Sequence, residues 1–278
     1  MFGRGWELTT KSWQLVRADA RLLVFPTLSA LLGLAAGLGI FLLAFGHAWW
    51  VYLAVFAVLT FPAAVVSTYL GVAFVALGRS ALDGREPSLR EGFRCASRRL
   101  PAILAWALLE SAVGLGLQAL RELRGGWIAT RLVGFLLGLA WAAATFFVVP
   151  VIALEDPGTV TALKRSTRLV RQRWGEGIVG VVAVGGALML ALLPASVLAL
   201  VGLALGLTPA GAAFVAGGVA LAATAFAVTT AAGQMFRLVL YRYATTGSTS
   251  GAFTADELDE AFRRRRGASR PPIWFARG

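Results

Sequence analysis

One carboxylate stands where carboxylates are costly. Of the fourteen acidic residues, Glu110 alone falls inside a long apolar stretch, residues 101–120. At 1.5 Å per helical residue it would lie about 13 Å below the nearer membrane surface. A carboxyl at that depth belongs in a bundle interior or a wet cavity, where it can couple protons or recognise a polar substrate. It can equally be a hydrogen bond that glues two helices together. Polar residues expected at similar depth are Ser67, Thr68, Tyr69, Thr145, Thr224 and Thr229. No other chemistry stands out. His47 is the single histidine and Cys95 the single cysteine. No zinc ligand set, intrachain disulfide or nucleophile–base pair can be assembled from such spacings. The expectation is therefore a chain with no metal, no cofactor and no enzymatic role.

The elements that must position Glu110 are membrane helices. Apolar residues make up 58% of the chain and charged residues only 14%, where a soluble domain carries about a quarter charged. Six stretches reach the ~20 apolar residues a span requires: 22–45, 51–78, 101–120, 132–154, 177–205 and 211–236. The connecting segments divide sharply in Lys and Arg. Residues 1–21, 79–100, 155–176 and 237–278 hold 23 of the 26, and the alternate loops hold the other three, Arg121, Arg124 and Arg131. Basic loops stay in the cytoplasm, so both termini are expected there, with the chain in a bacterial plasma membrane. A net charge of +12 raises nucleic acid as a partner. In a membrane protein, anionic lipid headgroups are the nearer anion, and nucleic acid is not expected.

The basic segments repeat a pattern. Residues 5–20, 88–99 and 159–174 each place apolar residues at three- and four-residue steps, which gives one apolar face and one basic face. Such helices lie in the membrane interface. Their cationic faces, with Arg17, Arg94, Arg98, Arg168 and Arg171, should meet headgroups, as should the tail run Arg263, Arg264, Arg265 and Arg266. Lys11-Ser12-Trp13-Gln14-Leu15-Val16-Arg17 resembles Arg165-Ser166-Thr167-Arg168-Leu169-Val170-Arg171. The hinges before the helices repeat as well, in Ala81-Leu82-Asp83-Gly84 and in Ala153-Leu154-Glu155-Asp156-Pro157-Gly158. The expected fold is all-α: a six-helix membrane bundle built from three hairpins, each preceded by a cytoplasmic amphipathic interfacial helix. Residues 1–236 form one membrane domain. Residues 237–278 form a cytoplasmic tail whose short helix, about 254–266, opens with the capping box Thr254-Ala255-Asp256-Glu257.

Met1-Phe2-Gly3-Arg4-Gly5-Trp6, Lys11-Ser12-Trp13, Leu23-Val24-Phe25-Pro26-Thr27-Leu28-Ser29, Ala153-Leu154-Glu155-Asp156, Leu169-Val170-Arg171 and Trp174-Gly175-Glu176 resemble an uncharacterised family of bacterial multi-pass membrane proteins, a domain-of-unknown-function group. The hairpins are more distantly similar to the membrane domain fused to some glycerophosphodiester phosphodiesterases. That resemblance implies lipid or envelope biology. It carries over no catalytic residue, since no stretch here corresponds to the soluble hydrolase domain. Two functions stay open: a membrane-organising or partner-scaffolding protein, with a membrane protein or a second copy as partner, and a transporter or lipid-moving protein working around Glu110.

Overall fold

The computed structural model describes residues 19–44, 49–122, 128–156, 158–173, 178–206 and 208–246. The chain is all-α over these residues. A short 3-10 turn, Ala20–Leu23, opens into α1 (Val24–Ala44). There follow α2 (Trp49–Leu82), α3 (Leu89–Arg98), α4 (Leu100–Glu122), α5 (Ile128–Thr145), α6 (Val148–Glu155), α7 (Thr159–Arg173), α8 (Ile178–Ala204) and α9 (Pro209–Thr246). Five stretches are long and apolar enough to cross a membrane: Ala20–Gly37, Val58–Leu82, Leu100–Ala119, Leu132–Glu155 and Pro209–Thr246. In α8 the stretch Leu192–Ala204 is apolar but shorter. The expected helix at 254–266 and residues 5–18 of the expected helix at 5–20, with Arg17 and Arg263–Arg266, lie outside the described residues.

The buried core gathers at one end of the bundle, the end that carries the basic segments. It combines Leu22 and Phe25, the Leu70–Leu77 stretch of α2, Ile103 and Trp106 of α4, Phe147–Ala153 of α6, Ala162 and Leu169 of α7, and the last turns of α9. Elsewhere α1, α5, α8 and the first half of α9 expose Leu31, Leu136, Met189, Leu200 and Phe214 at the protein surface. An apolar surface of that extent matches hydrocarbon rather than water.

Three features depart from the sequence expectation. First, the fourth stretch, expected as one helix over 132–154, breaks at Phe146–Phe147 into α5 and α6. Pro150 explains the break, because its ring collides with the carbonyl four residues back and it has no N–H to offer that carbonyl. Two other backbone groups at the break find a partner from another helix. The Ser166 hydroxyl of α7 donates to the Ala144 carbonyl at 2.7 Å and accepts from the Phe147 N–H at 3.0 Å.

Second, α3 does not stand apart. α2 ends in a Schellman-type turn, with Gly84 at φ 70° and Arg85 N–H bonded to the Ser80 carbonyl. The chain then doubles back, so that α3 lies along α2. A Cβ at Gly92 would sit 3.0 Å from both the Ala73 carbonyl and the Phe25 ring, so glycine lets the two helices approach closely there. Tyr69 bonds Ser97 at 2.8 Å across the same seam.

Third, the sixth helix does not end at Phe236. Its apolar pattern runs on through Leu238, Val239, Leu240 and Tyr241 to Thr246, making 38 residues. That is about 57 Å, far more than the ~30 Å of hydrocarbon. Small residues allow close approach along it: a Cβ at Gly78 would lie 2.8 Å from Leu238, and one at Gly202 would lie 2.7 Å from the Gly211 carbonyl.

Ser166→Ala should lower stability in detergent by about 1–3 kcal/mol, since it strands the Ala144 carbonyl and the Phe147 N–H in a fully buried place. Thermal unfolding followed by circular dichroism measures the loss. Exposed Ser196→Ala, whose hydroxyl bonds only its own helix, should be near neutral.

Candidate functional site

Glu110 is half-buried on α4. Its own helix supplies Trp106 one turn earlier, whose indole N–H reaches toward the carboxylate. Trp106 is buried and stacks on Trp141 of α5, with ring centroids 6.0 Å apart and planes within 5°. Arg237 of α9 is half-buried. Its guanidinium lies over the Phe146 ring, 5.2 Å from the centroid, a distance at which a cation is attracted to the ring face. Phe146 is at the α5–α6 break, so Pro150 indirectly sets the floor on which Arg237 rests. Among the described residues, Arg237 closes neither a hydrogen bond nor an ion pair. Two further polar atoms nearby in sequence, Ser111 Oγ and Gln234 Oε1, are buried without a hydrogen-bond partner among the described residues.

The hydroxyls expected around Glu110 are engaged elsewhere. Thr145 donates to the Trp141 carbonyl at 2.9 Å, Thr224 to Ala220 at 2.9 Å and Thr229 to Ala225 at 2.7 Å, each within its own helix. Ser67 is exposed and Thr68 is buried on α2. Tyr69 is held by Ser97 and by the Phe93 carbonyl at 3.3 Å, because α3 covers that face of α2. Sequence reasoning missed Arg237 by ending the sixth span at the first charge after residue 236. The signal was present: the apolar periodicity does not stop there.

A second constellation closes the basic end. The two hinge acids both reach α9, at neighbouring positions. Asp83 binds Arg242 at 2.6 Å and Arg85 at 3.1 Å. Glu155 accepts from the Tyr241 hydroxyl at 2.5 Å and pairs with Arg165 at 3.3 Å. Asp156, in the left-handed conformation at φ 54° that ends α6, pairs with Arg99. Partial burial alone would raise the Asp83 carboxyl, but Arg242 and Arg85 outweigh it and hold the group below its usual value. Burial pushes the Cys95 thiol up. Its Sγ lies 3.8 Å from the Ala153 carbonyl. Among the described residues, no three His, Cys, Asp or Glu side chains gather as metal ligands would.

On the outer faces, Arg94, Arg98, Arg168 and Arg171 are exposed. Lys164, Arg168 and Arg171 border an open groove of about 480 Å³ with Leu163 and Thr167. Opposite faces of the same helices are buried through small residues at four-residue spacing, Gly92 and Ala96 on α3, Ala162 and Ser166 on α7.

A family model described as "Family of unknown function (DUF6159)" matches residues 49–252. The chain belongs to DUF6159. The match covers α2 through α9, so every residue of both constellations in this DUF6159 member lies inside it. No curated protein matches the chain, and no solved structure does.

The Asp83 cluster has a definite pH signature. A carboxyl whose pKa falls on folding adds stability above its unfolded value and loses that contribution as pH drops through its folded value. Unfolding of the wild type in detergent should therefore become easier as pH falls below 3.8, the usual value for this group. Asp83→Asn should flatten that part of the profile and lower stability at pH 7. Thermal unfolding between pH 2.5 and 7, at ~0.1 M salt to limit screening, checks both.

Proposed function

We propose that this DUF6159 member is a non-enzymatic membrane protein that organises anionic lipid, or a protein partner, at the cytoplasmic face of a bacterial plasma membrane. In this reading it crosses six times as three hairpins, α8 being the fifth crossing, and both termini are cytoplasmic. The observation that carries the reading is the basic end itself. It has a densely packed core, it is tied to α9 by Asp83 and Glu155, and it turns Arg94, Arg98, Arg168 and Arg171 outward on two short helices. Cations held on a rigid support meet headgroup phosphates at a lower entropic cost than cations on a loose tail. The matching small-residue faces of α3 and α7, each following an acidic hinge, support the internal repeat.

A second reading is transport or lipid movement through the bundle interior. Glu110 and Arg237 favour it, as opposite charges set inside a membrane domain beside polar atoms that have no protein partner. The tight basic end favours the first reading as the principal one.

Two measurements test the proposal. Reporter fusions after Gly278 and at His47 should give opposite sidedness, with Gly278 inside; equal sidedness would remove the six-span arrangement. Replacing Arg94, Arg98, Arg168 and Arg171 together by Gln should strip most copurified anionic phospholipid, measured by mass spectrometry of mild-detergent extracts, while leaving thermal stability within about 1 kcal/mol. Undiminished anionic lipid in that variant would sink the headgroup-organising role.

A further inference from the structure

Helix α7 carries Lys164, Arg165, Arg168, Arg171 and Arg173 and no acid. Its counterpart α3 sets Glu91 among Arg90, Arg94 and Arg98. Of the α7 cations, Arg165 is held by Glu155 at 3.3 Å. Lys164, Arg168 and Arg171 are exposed and close no ion pair among the described residues. Steps of four and three residues set these three in one row along the helix. On the opposite side Ala162, Ser166 and Leu169 are buried. Between the two rows runs an apolar strip, with Val160 60% exposed and Leu163 and Val170 half-buried. The open groove of about 480 Å³ lies where that strip meets the cations. Thr167, which also lines it, donates its hydroxyl to the Leu163 carbonyl at 2.8 Å and so offers the groove no free donor.

We propose that this groove binds a lipid whose headgroup carries two phosphates, the chemistry of diphosphatidylglycerol. The proposal rests on the headgroup-organising reading above and narrows it to one groove and one class of lipid. In that reading α7 lies at the membrane surface, since it follows α6, which ends the candidate span Leu132–Glu155. Lys164, Arg168 and Arg171 span about 10 Å along the helix. A single phosphate meets two neighbouring cations of such a row and leaves the third unpaired. Two phosphates joined through one glycerol meet all three. The arginines take phosphate oxygens through their planar forks, and Lys164 acts as a point charge. No acid on α7 opposes the second negative charge, whereas on α3 Glu91, one turn before Arg94, offsets part of the row. The apolar strip at Val160 and Leu163 gives the first carbons of the acyl chains a surface to cover.

The test offers wild-type protein in mild detergent an equimolar mixture of diphosphatidylglycerol, phosphatidylglycerol and phosphatidylethanolamine, and counts retained molecules by native mass spectrometry. Diphosphatidylglycerol should be retained over phosphatidylglycerol by about tenfold. Replacing Lys164, Arg168 and Arg171 together by Gln should bring that ratio down to about one. Replacing Arg90, Arg94 and Arg98 by Gln should instead raise it, by removing phosphatidylglycerol bound outside the groove. All six side chains are exposed, and thermal unfolding checks that both variants fold. The wild-type ratio needs no variant, so it decides the matter even where a substitution prevents folding. A wild-type ratio near one would overturn the proposal, as would an equal fall of the ratio in both variants. The two failures are distinguishable. Anionic lipid retained over phosphatidylethanolamine at a ratio near one removes the groove and keeps the headgroup-organising reading, and no preference for anionic lipid removes both. Displacement of the bound lipid by an oligoglutamate peptide would assign the groove to an acidic protein partner and would also overturn the proposal.

Discussion

A backbone carbonyl and N–H freed inside a membrane domain have no water to turn to, and the fold is arranged around satisfying such a pair. Pro150 interrupts the fourth apolar stretch, and Ser166 answers from α7. That one hydroxyl does three things. It keeps α5 and α6 from fraying, it anchors an otherwise basic helix to the core, and it fixes the angle at which α6 leaves α5. α6 then passes close to α2, where a Cβ at Gly71 would lie 3.2 Å from Val149, and delivers Glu155 to Tyr241. Without the break, a straight helix could not bring both Phe146 beneath Arg237 and Glu155 to the same stretch of α9.

Charge is handled by the same economy of partners. Acids at the two hinges are shared between local arginines and α9, so each turn at the basic end is locked to the same long helix. The exposed pairs contribute little by themselves. Their effect is to choose one arrangement of hinges over others, since a slipped hinge would leave Arg242 or Tyr241 facing apolar neighbours.

How far the sequence could be read depended on whether the deciding force was local. Helix positions followed from apolar length, so α1, α2 and α4 fall close to 22–45, 51–78 and 101–120. The segments at 88–99 and 159–174 are helical as α3 and α7, close to the bounds drawn from periodicity. What periodicity cannot supply is the identity of the neighbour. Pro150 was visible as an interruption, but the serine that repairs it lies sixteen residues on and looked like an ordinary repeat position. Tyr69 was a plausible partner for Glu110 until α3 folded across it. Arg237 was misplaced because a charge was allowed to end a helix whose packing face carried on. Glu110 itself was legible, since its rarity alone marks it, whereas its surroundings depend on contacts between helices far apart in the chain.

The length of α9 has a mechanical consequence. The helix is pinned at its start by backbone contact with α8, where Gly211 meets Gly202, and near its end by Asp83 and Glu155 through Arg242 and Tyr241. Between these points it is a lever. A tilt of roughly 5° about its first turn sweeps the far end of a rod about 57 Å long by roughly 5 Å, far beyond the tolerance of a hydrogen bond. Tilting is one way in which a helix that outreaches the hydrocarbon accommodates the thickness of the bilayer. The hinge contacts at the basic end are therefore positioned to register, or to resist, a change in the thickness of the membrane around them.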